Sequence, residues 1–585
     1  MLRTASLRVN VGGTLLLGLV LFLTVYPLGM LLYGSVRSAA PGLPGALTLA
    51  GYAEAYGDPL TYQTWLNSLF LATAVTLIST AIALVFAFTV ARTDAPLRGL
   101  VLPLMTLIYI MPTIFFAFAW AMLGNPRAGL INVLLQELIP GLGPVVNVYS
   151  WPGLILVMAI TTVPFKFLLL LGAFYAMDMS LEEASRVAGA GRWKTLLLVD
   201  LPVLAPTILG AMLLGFVRSL QAFEVPLFLG FPAKIYVFST RIYDYLANYY
   251  PIRYAEAGAL SVTVVATLLV LVLVQWKVLG RREFVTVTGK GYRPEVWRLG
   301  RLGYVFTALV VAYALLALVL PAVQLVLGSL TRIFGLYSAE LFTLDNYQAA
   351  LGSDVVRRGF VNTLLLAAGG GFLTMSLTVT IAYVIARTAY PLRKLLDLAV
   401  WVPWTLPGIV LGTAMLWAYL SVPGLKALYG TPWLLLIGVV VTVIPVGVRV
   451  MAGSLVQLSR DLEESARIHG ASWRKTFVTV VLPLVAPSFL YGWLVVAIII
   501  SGELSVPLLL YTPGTEVLSI AILQLQSRAQ PEVAAAVFTL VLAAAAVVIV
   551  LVRLVSLALD RLSLHRMGAF RLPAEPSPAL REGGQ

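Results

Sequence analysis

Three ionisable side chains, Arg218, Glu224 and Glu503, stand deep inside long apolar runs of this sequence. Charge is expensive in such surroundings, and where it occurs it marks paths for ions or solutes. The chemistry open to these groups is electrostatic: two carboxylates can attract a cation, and a guanidinium can pair with one of them. A second chemical pattern is written twice. EEASRVAGAGRWKTLLLVDLPVLAP runs from Glu182 to Pro206, and EESARIHGASWRKTFVTVVLPLVAP from Glu463 to Pro487, 281 residues further on. Twelve of the 25 aligned positions are identical, more than drift after duplication would spare in a featureless loop. No cysteine occurs, which excludes disulfides, thiolate metal sites and thiol catalysis. The chain holds no Gly-x-x-x-x-Gly-Lys-Ser/Thr phosphate loop, so no nucleotide hydrolysis is expected of it alone.

The elements that must position these residues follow from composition. The chain is 60% hydrophobic and 11% charged, whereas soluble domains carry roughly 25% charged residues. Its surroundings are therefore a bilayer, which a helix crosses with about 20 apolar residues. Twelve such runs are expected, near 11–34, 64–91, 100–122, 153–175, 203–230 and 256–279, then near 303–328, 359–386, 396–420, 433–451, 484–511 and 533–558. The period-two alternation of membrane barrels is absent from them, so the fold class is an all-α membrane protein. The first run, preceded by Arg3 and Arg8, is longer than the apolar core of a secretory signal and is expected to remain as a span.

Most of the 39 Lys and Arg residues fall on one side of this topology, which places both termini in the cytoplasm and the protein in the plasma (inner) membrane. The net charge of +13 is then a positive-inside signature dispersed over many loops, and no nucleic-acid partner is expected. His469 and His565 both lie on the cytoplasmic side, and no metal site is expected. Lys166 and Arg449, nearer the cytoplasmic ends of their runs, are expected to snorkel.

The duplication extends beyond the repeated loop. LTLAGY (47–52) matches FTLDNY (342–347), and ARTDAPLR (91–98) matches ARTAYPLR (386–393), both at a spacing of 295. The drop from 295 to 281 implies an additional external segment in the first half, around GNPRAGLINVLLQELIPGLGP. Pro112 matches Pro407, Pro164 matches Pro445 and Pro226 matches Pro507, which argues for duplicated architecture because each internal proline removes a helix hydrogen bond. Six spans per half is an even number, so the halves are parallel. The expected units are 1–280, a basic linker at 281–301, 302–560, and a polar tail at 561–585.

Both copies of the repeated loop lie between the fourth and fifth spans of their half. Ser180 three residues before Glu183, and Asp461 three before Glu464, suggest capping boxes. Glu182 and Arg186, like Glu463 and Arg467, are four apart and are expected to pair on one helix face. Gly189 and Gly470 are expected to stop each helix at positive φ. Arg218 and Glu224, six apart on one expected helix, would point to different sides. That sets Arg218 against Glu503 across the axis between the halves, with Glu224 toward the external mouth.

The loop resembles the signature of permease subunits of binding-protein-dependent ABC importers, on Glu183-Ala184-Ser185, Gly189, Val199 and Leu201-Pro202, and on Glu464-Ser465-Ala466, Gly470, Val480 and Leu482-Pro483. Ser replaces one Ala in each copy, and Val stands where the family often has Ile. The resemblance implies two fused type I permease halves forming a pathway without catalysis. It implies two cytoplasmic ABC ATPase subunits carrying ATP and Mg at the two loops, and one external solute-binding protein, with no cofactor on this chain beyond contact with membrane lipid. Glu182, Glu183, Arg186, Gly189, Glu463, Glu464, Arg467 and Gly470 would then form the coupling loops, and Arg218, Glu224 and Glu503 a gate. The fused form, GKGYRP in the linker and GELSVPLLL (502–510) resemble iron(III) permeases, with thiamine, polyamine or phosphonate as alternative solutes. A secondary transporter, a channel or a scaffold would leave the duplicated loop without a purpose.

Overall fold

The computed structural model describes residues 2–279 and 296–544. Among them the chain is helical, with β-structure limited to isolated bridges. Among the described residues nine helices are long and apolar enough to cross a membrane, and two bent pairs raise the number to eleven. In the first half these are Val11–Ser35, Pro59–Arg92, the pair Arg98–Ile110 with Thr113–Leu123, Trp151–Ala176, Arg192–Leu220 and Tyr254–Gln275. In the second they are Leu302–Leu330, Asp354–Arg387, the pair Arg393–Thr405 with Gly408–Leu420, Pro432–Gln457 and Trp473–Ser501. The run at 533–558 begins with the apolar helix Pro531–Ala544, and its remainder lies outside the described residues. So do the tail at 561–585 and most of the linker.

The third span of each half is bent, by 95° and 112°. The matched prolines are the cause. A residue before proline is pushed out of the helical region, and Met111 and Leu406 both take extended ψ of 136°. The limbs beyond the bends are almost wholly buried, as a re-entrant segment must be when lipid offers its backbone no partner.

The fifth spans differ from expectation at both ends. Each starts earlier, at Arg192 and Trp473, and passes through a π-helical turn (Leu196–Asp200 and Phe477–Val481) just before Pro202 and Pro483. Each also ends earlier, at Leu220 and Ser501. The chain then turns into short buried segments, Pro226–Gly230 and Ser505–Leu510, and into the helices Phe238–Ala247 and Leu518–Ser527.

The halves interlock through their first spans. Val11–Ser35 packs on the third span of the second half, where Tyr26 Oη donates to the Ala418 carbonyl at 3.0 Å. Leu302–Leu330 packs reciprocally on Thr113–Leu123, and Tyr313 Oη donates to the Ile160 carbonyl at 2.8 Å. The segment leading into that span is tied down as well: Trp297 N–H donates to Arg92 O at 2.8 Å, and Leu299 N–H to Asp94 Oδ1 at 2.8 Å. The additional segment of the first half is real. It carries the helix Leu130–Leu138, stapled by buried Asn132, whose amide bonds the backbone of Asn125, Val145 and Val146.

Candidate functional site

Two polar knuckles project at one end of the molecule. Met179–Val187 and Asp461–Ile468 are short helices at matched positions. Neither begins with a capping box. In the first, Asp178 is the N-cap and accepts from Ser180 N–H; in the second, Arg460 is the N-cap without a side-chain bond, and Ser459 Oγ accepts from Asp461 N–H.

Both helices end alike. Gly189 has φ +87° and Gly470 φ +82°. Gly189 N–H donates to Arg186 O and Ala190 N–H to Ser185 O, while Gly470 and Ala471 donate to Arg467 O and Ala466 O. This pair of backward bonds is a Schellman motif, whose left-handed residue favours glycine. The expectation of positive φ at both glycines is met.

The two glutamates of each knuckle divide. Glu183 and Glu464 are exposed, whereas Glu182 and Glu463 are buried. Glu182 meets Arg92 from the end of the second span, Nε to Oε1 at 3.0 Å, although without hydrogen-bond alignment. Glu463 accepts from Tyr383 Oη at 2.7 Å and lies 3.7 Å from Arg387 Nη1. Arginines from another span thus join the glutamates, which the same-helix spacing did not foresee. Arg186 adds to the field at Glu182, and Arg467 acts on the Tyr383 hydroxyl. Burial pushes the Glu182 carboxyl above its ordinary range, and the Arg92 guanidinium pulls it back. Sequence reasoning assigned no role to Arg92, Arg387 and Tyr383. The signal was present, because both arginines sit in the duplicated ARTDAPLR and ARTAYPLR.

With each helix anchored, its outer surface carries apolar side chains that nothing covers. Val187 is 90% exposed and its match Ile468 83%, and Leu181 and Leu462 are also exposed. The two apolar tips stand at matched positions beside charged residues.

The second candidate region lies where helix breaks converge. Gln221 Nε2, just past the fifth span of the first half, donates to Trp404 O at the bend of the second half's third span, 3.3 Å away. A Cβ on Gly502 would lie 2.4 Å from Pro112 Cβ, so the matching break and bend also touch. Glu224 and Glu503 belong to these breaks and not to the spans, which invalidates the expected rotation between Arg218 and Glu224. Ser505 Oγ donates to Glu224 Oε1 at 3.1 Å, a bond between positions 281 apart. Matched residues touching each other must lie close to the axis of the duplication. Among the described residues no ion pair joins Arg218 to Glu503; Arg218 is exposed, and its charge acts on Glu224. Glu503 lies within the field of Glu224, and its carbonyl accepts from Ser519 Oγ at 2.8 Å.

Lys166 does not snorkel. It is fully buried, and its Nζ donates to Thr76 O at 3.0 Å and Ser79 Oγ at 2.6 Å. Arg449 is exposed, with its guanidinium over the Trp401 ring. Among the described residues no three His, Asp or Glu side chains gather as a metal would require.

Residues 79–333 and 359–567 match the family described as binding-protein-dependent transport system inner membrane component. FbpB 1 of Haemophilus influenzae, named for ferric transport, is 30% identical over 72% of this chain and 66% of its own length. The ferric transport system permease protein FbpB of Actinobacillus pleuropneumoniae is 28% identical, over 72% and 61% respectively. A probable ABC transporter permease of Sinorhizobium fredii is 28% identical over 75% of this chain and 77% of its own. The chain thus spans just under two thirds of the length of the two ferric relatives.

Proposed function

This chain belongs to the family of binding-protein-dependent transport system inner membrane components, and from that premise we propose that it is the fused membrane pathway of an ATP-driven importer. The two halves, 1–280 and 302–560 joined by the linker at 281–301, form the pathway. Two ABC ATPase subunits dock on the knuckles, and a solute-binding protein delivers from the opposite face. Both termini lie on the ATPase side. ATP is hydrolysed by those partners and not by this chain.

The observation that carries the reading is the matched pair of knuckles, each anchored by a buried arginine–glutamate contact and each tipped by an uncovered aliphatic residue. Glu183 and Glu464 face the partner, Gly189 and Gly470 set the turn, and Glu182 with Arg92 and Glu463 with Arg387 transmit the movement into the second spans. The constriction formed by the helix breaks is the gate, with Glu224 and Glu503 drawing a cation and Arg218 balancing Glu224. Iron(III) is the proposed solute, supported by the two ferric relatives and by carboxylate oxygens as its preferred kind of ligand.

The test is uptake into proteoliposomes holding the chain with its ATPase, supplied with the binding protein and radiolabelled ferric ion. Uptake that needs both ATP and binding protein supports the reading. Uptake driven by a proton gradient without ATP overturns it, and ATP-dependent uptake of another solute alone overturns the iron assignment.

A further inference from the structure

A cavity of about 430 Å³ opens at the end of the molecule away from the knuckles, between the first span of the first half and the third span of the second. Arg37 enters it from the first half. Among the described residues Arg37 has no carboxylate partner; it has a long contact from Nη2 to the Leu43 carbonyl, 3.4 Å, and lies over the Tyr33 ring. The second half contributes Trp417 and Ser421. Trp417 is 1% exposed, and neither its indole N–H nor the buried Ser421 hydroxyl has a hydrogen-bond partner. Unpaired buried donors are rare because each forfeits its hydration. Met30, Leu43 and Pro44 complete an apolar wall, and no acidic side chain lines the cavity.

The duplication sharpens this. At a spacing of 295, Arg37 corresponds to Arg332, which faces Asp345 across 3.4 Å. The position matching Asp345 in the first half is Ala50, and the position matching Trp417 is Met122, which has no donor. One copy thus neutralises its arginine internally. The other has no acid at that position, and its arginine shares a cavity with the two donors. The cavity also sits where Val11–Ser35 and Gly408–Leu420 end, and the ends of bilayer-crossing helices lie at the level of lipid headgroups.

We propose that this cavity binds a phosphate oxyanion bridging the two halves, supplied by a phospholipid headgroup or by free phosphate. Arg37 provides a charge-assisted bond, the Trp417 and Ser421 donors take further oxygens, and the apolar wall accommodates the organic flank of a diester.

Two arms of one experiment on the full-length chain distinguish the sources. Native mass spectrometry from nanodiscs of mixed phosphatidylcholine and phosphatidylglycerol reads lipid retention, since both carry the phosphodiester but the choline cation of the first would crowd the Arg37 charge, and thermal unfolding with inorganic phosphate, against chloride at equal ionic strength, reads the free ion. Selective retention of phosphatidylglycerol, or a midpoint that rises with phosphate, supports the site and identifies its source. Arg37→Gln should weaken the effect by at least about tenfold, the scale of one charge-assisted hydrogen bond. Ala50→Asp should do the same by restoring the internal partner, without altering any cavity residue, and Trp417→Phe should weaken it less. If neither arm shows selectivity, or if Arg37→Gln and Ala50→Asp bind as the parent does, the proposal is overturned.

Discussion

Replacing Glu182 by glutamine tests how the first knuckle is held. Arg92 is 0% exposed and the Glu182 side chain 7%, so the guanidinium would keep its charge in a dry socket after its partner had lost one. Breaking a buried ion pair from one side costs about 3–5 kcal/mol. The second half is built with more redundancy. If Glu463 is changed to glutamine, Arg387 Nη2 still donates to the Leu455 and Leu458 carbonyls, and Tyr383 retains an oxygen to bond. The loss there is closer to that of one charged hydrogen bond, about 1.5–3 kcal/mol. Hydrogen exchange reads these as local opening. Amides of residues 179–187 should exchange about two to three and a half orders of magnitude faster in Glu182→Gln, and those of 461–468 about one to two orders faster in Glu463→Gln. Asp200, also buried and within the field of Arg92, can soften the first effect by moving toward the guanidinium, so adding Asp200→Asn should restore its full size. Replacing both Arg92 and Glu182 by apolar residues of similar volume should return most of the protection. Equal effects in the two halves, or a larger one in the second, would refute this account of the anchors.

A Cβ at Gly189 or Gly470 meets nothing within 4 Å, but any residue with one must adopt positive φ there, at about 1–2 kcal/mol each; with bulky residues at both positions the protein should insert normally while ATP hydrolysis is uncoupled from uptake, and normal uptake would rule this out. Gly215→Val drives a side chain into Lys166, since even a Cβ would lie 2.1 Å from Lys166 Cε. The matched positions are Gly447 and Val496, so Lys166→Gly should recover about 1–3 kcal/mol of the Gly215→Val loss in a thermal-unfolding cycle, and no recovery would refute the size exchange. Glu516 loses hydration on burial, but backbone N–H groups and Arg358 outweigh this and hold its carboxyl below the ordinary range. The sign follows: its stabilisation is complete above about pH 4.3 and is lost as pH falls through the depressed value. Exchange in residues 511–517 should rise on that acidification in the parent and be flat in Glu516→Gln. Finally, Glu224→Gln with Glu503→Gln should reduce uptake of a cationic solute while leaving ATPase docking intact, as pull-down from detergent would show.

What the sequence could disclose depended on the range of each interaction. Eleven of the twelve expected spans, their parallel duplication, the additional segment near Asn132 and the positive φ of Gly189 and Gly470 are all local or periodic signals, and they appear among the described residues. The bends at Pro112 and Pro407 were also written locally, yet a hydropathy run passes smoothly through them and reads as one straight span. The early end of the fifth spans was hidden for the same reason: VPLFLG and VPLLL are as apolar as the helices before them, though they turn back into protein. Long-range partners were the least legible. An i,i+4 rule pointed to Arg186 for Glu182 and said nothing of Arg92, the buried cation that is desolvated with it, which lies 90 residues away in sequence. Lys166 was misjudged because snorkelling assumes lipid on all sides, whereas the second and fifth spans enclose it.

The central claim, that the paired knuckles are the mechanical link to the ATPases, has a direct test because the chain contains no cysteine. Val187→Cys and Ile468→Cys, each introduced alone, place one thiol at each uncovered tip. In membranes holding the assembled complex, a short thiol-to-amine cross-linker should join each variant to the ATPase subunit, and the double variant should capture two copies per chain. The yield should change when ATP is bound. Capture of lipid or of the external binding protein at these positions, or no capture from a complex that still imports solute, would contradict the account.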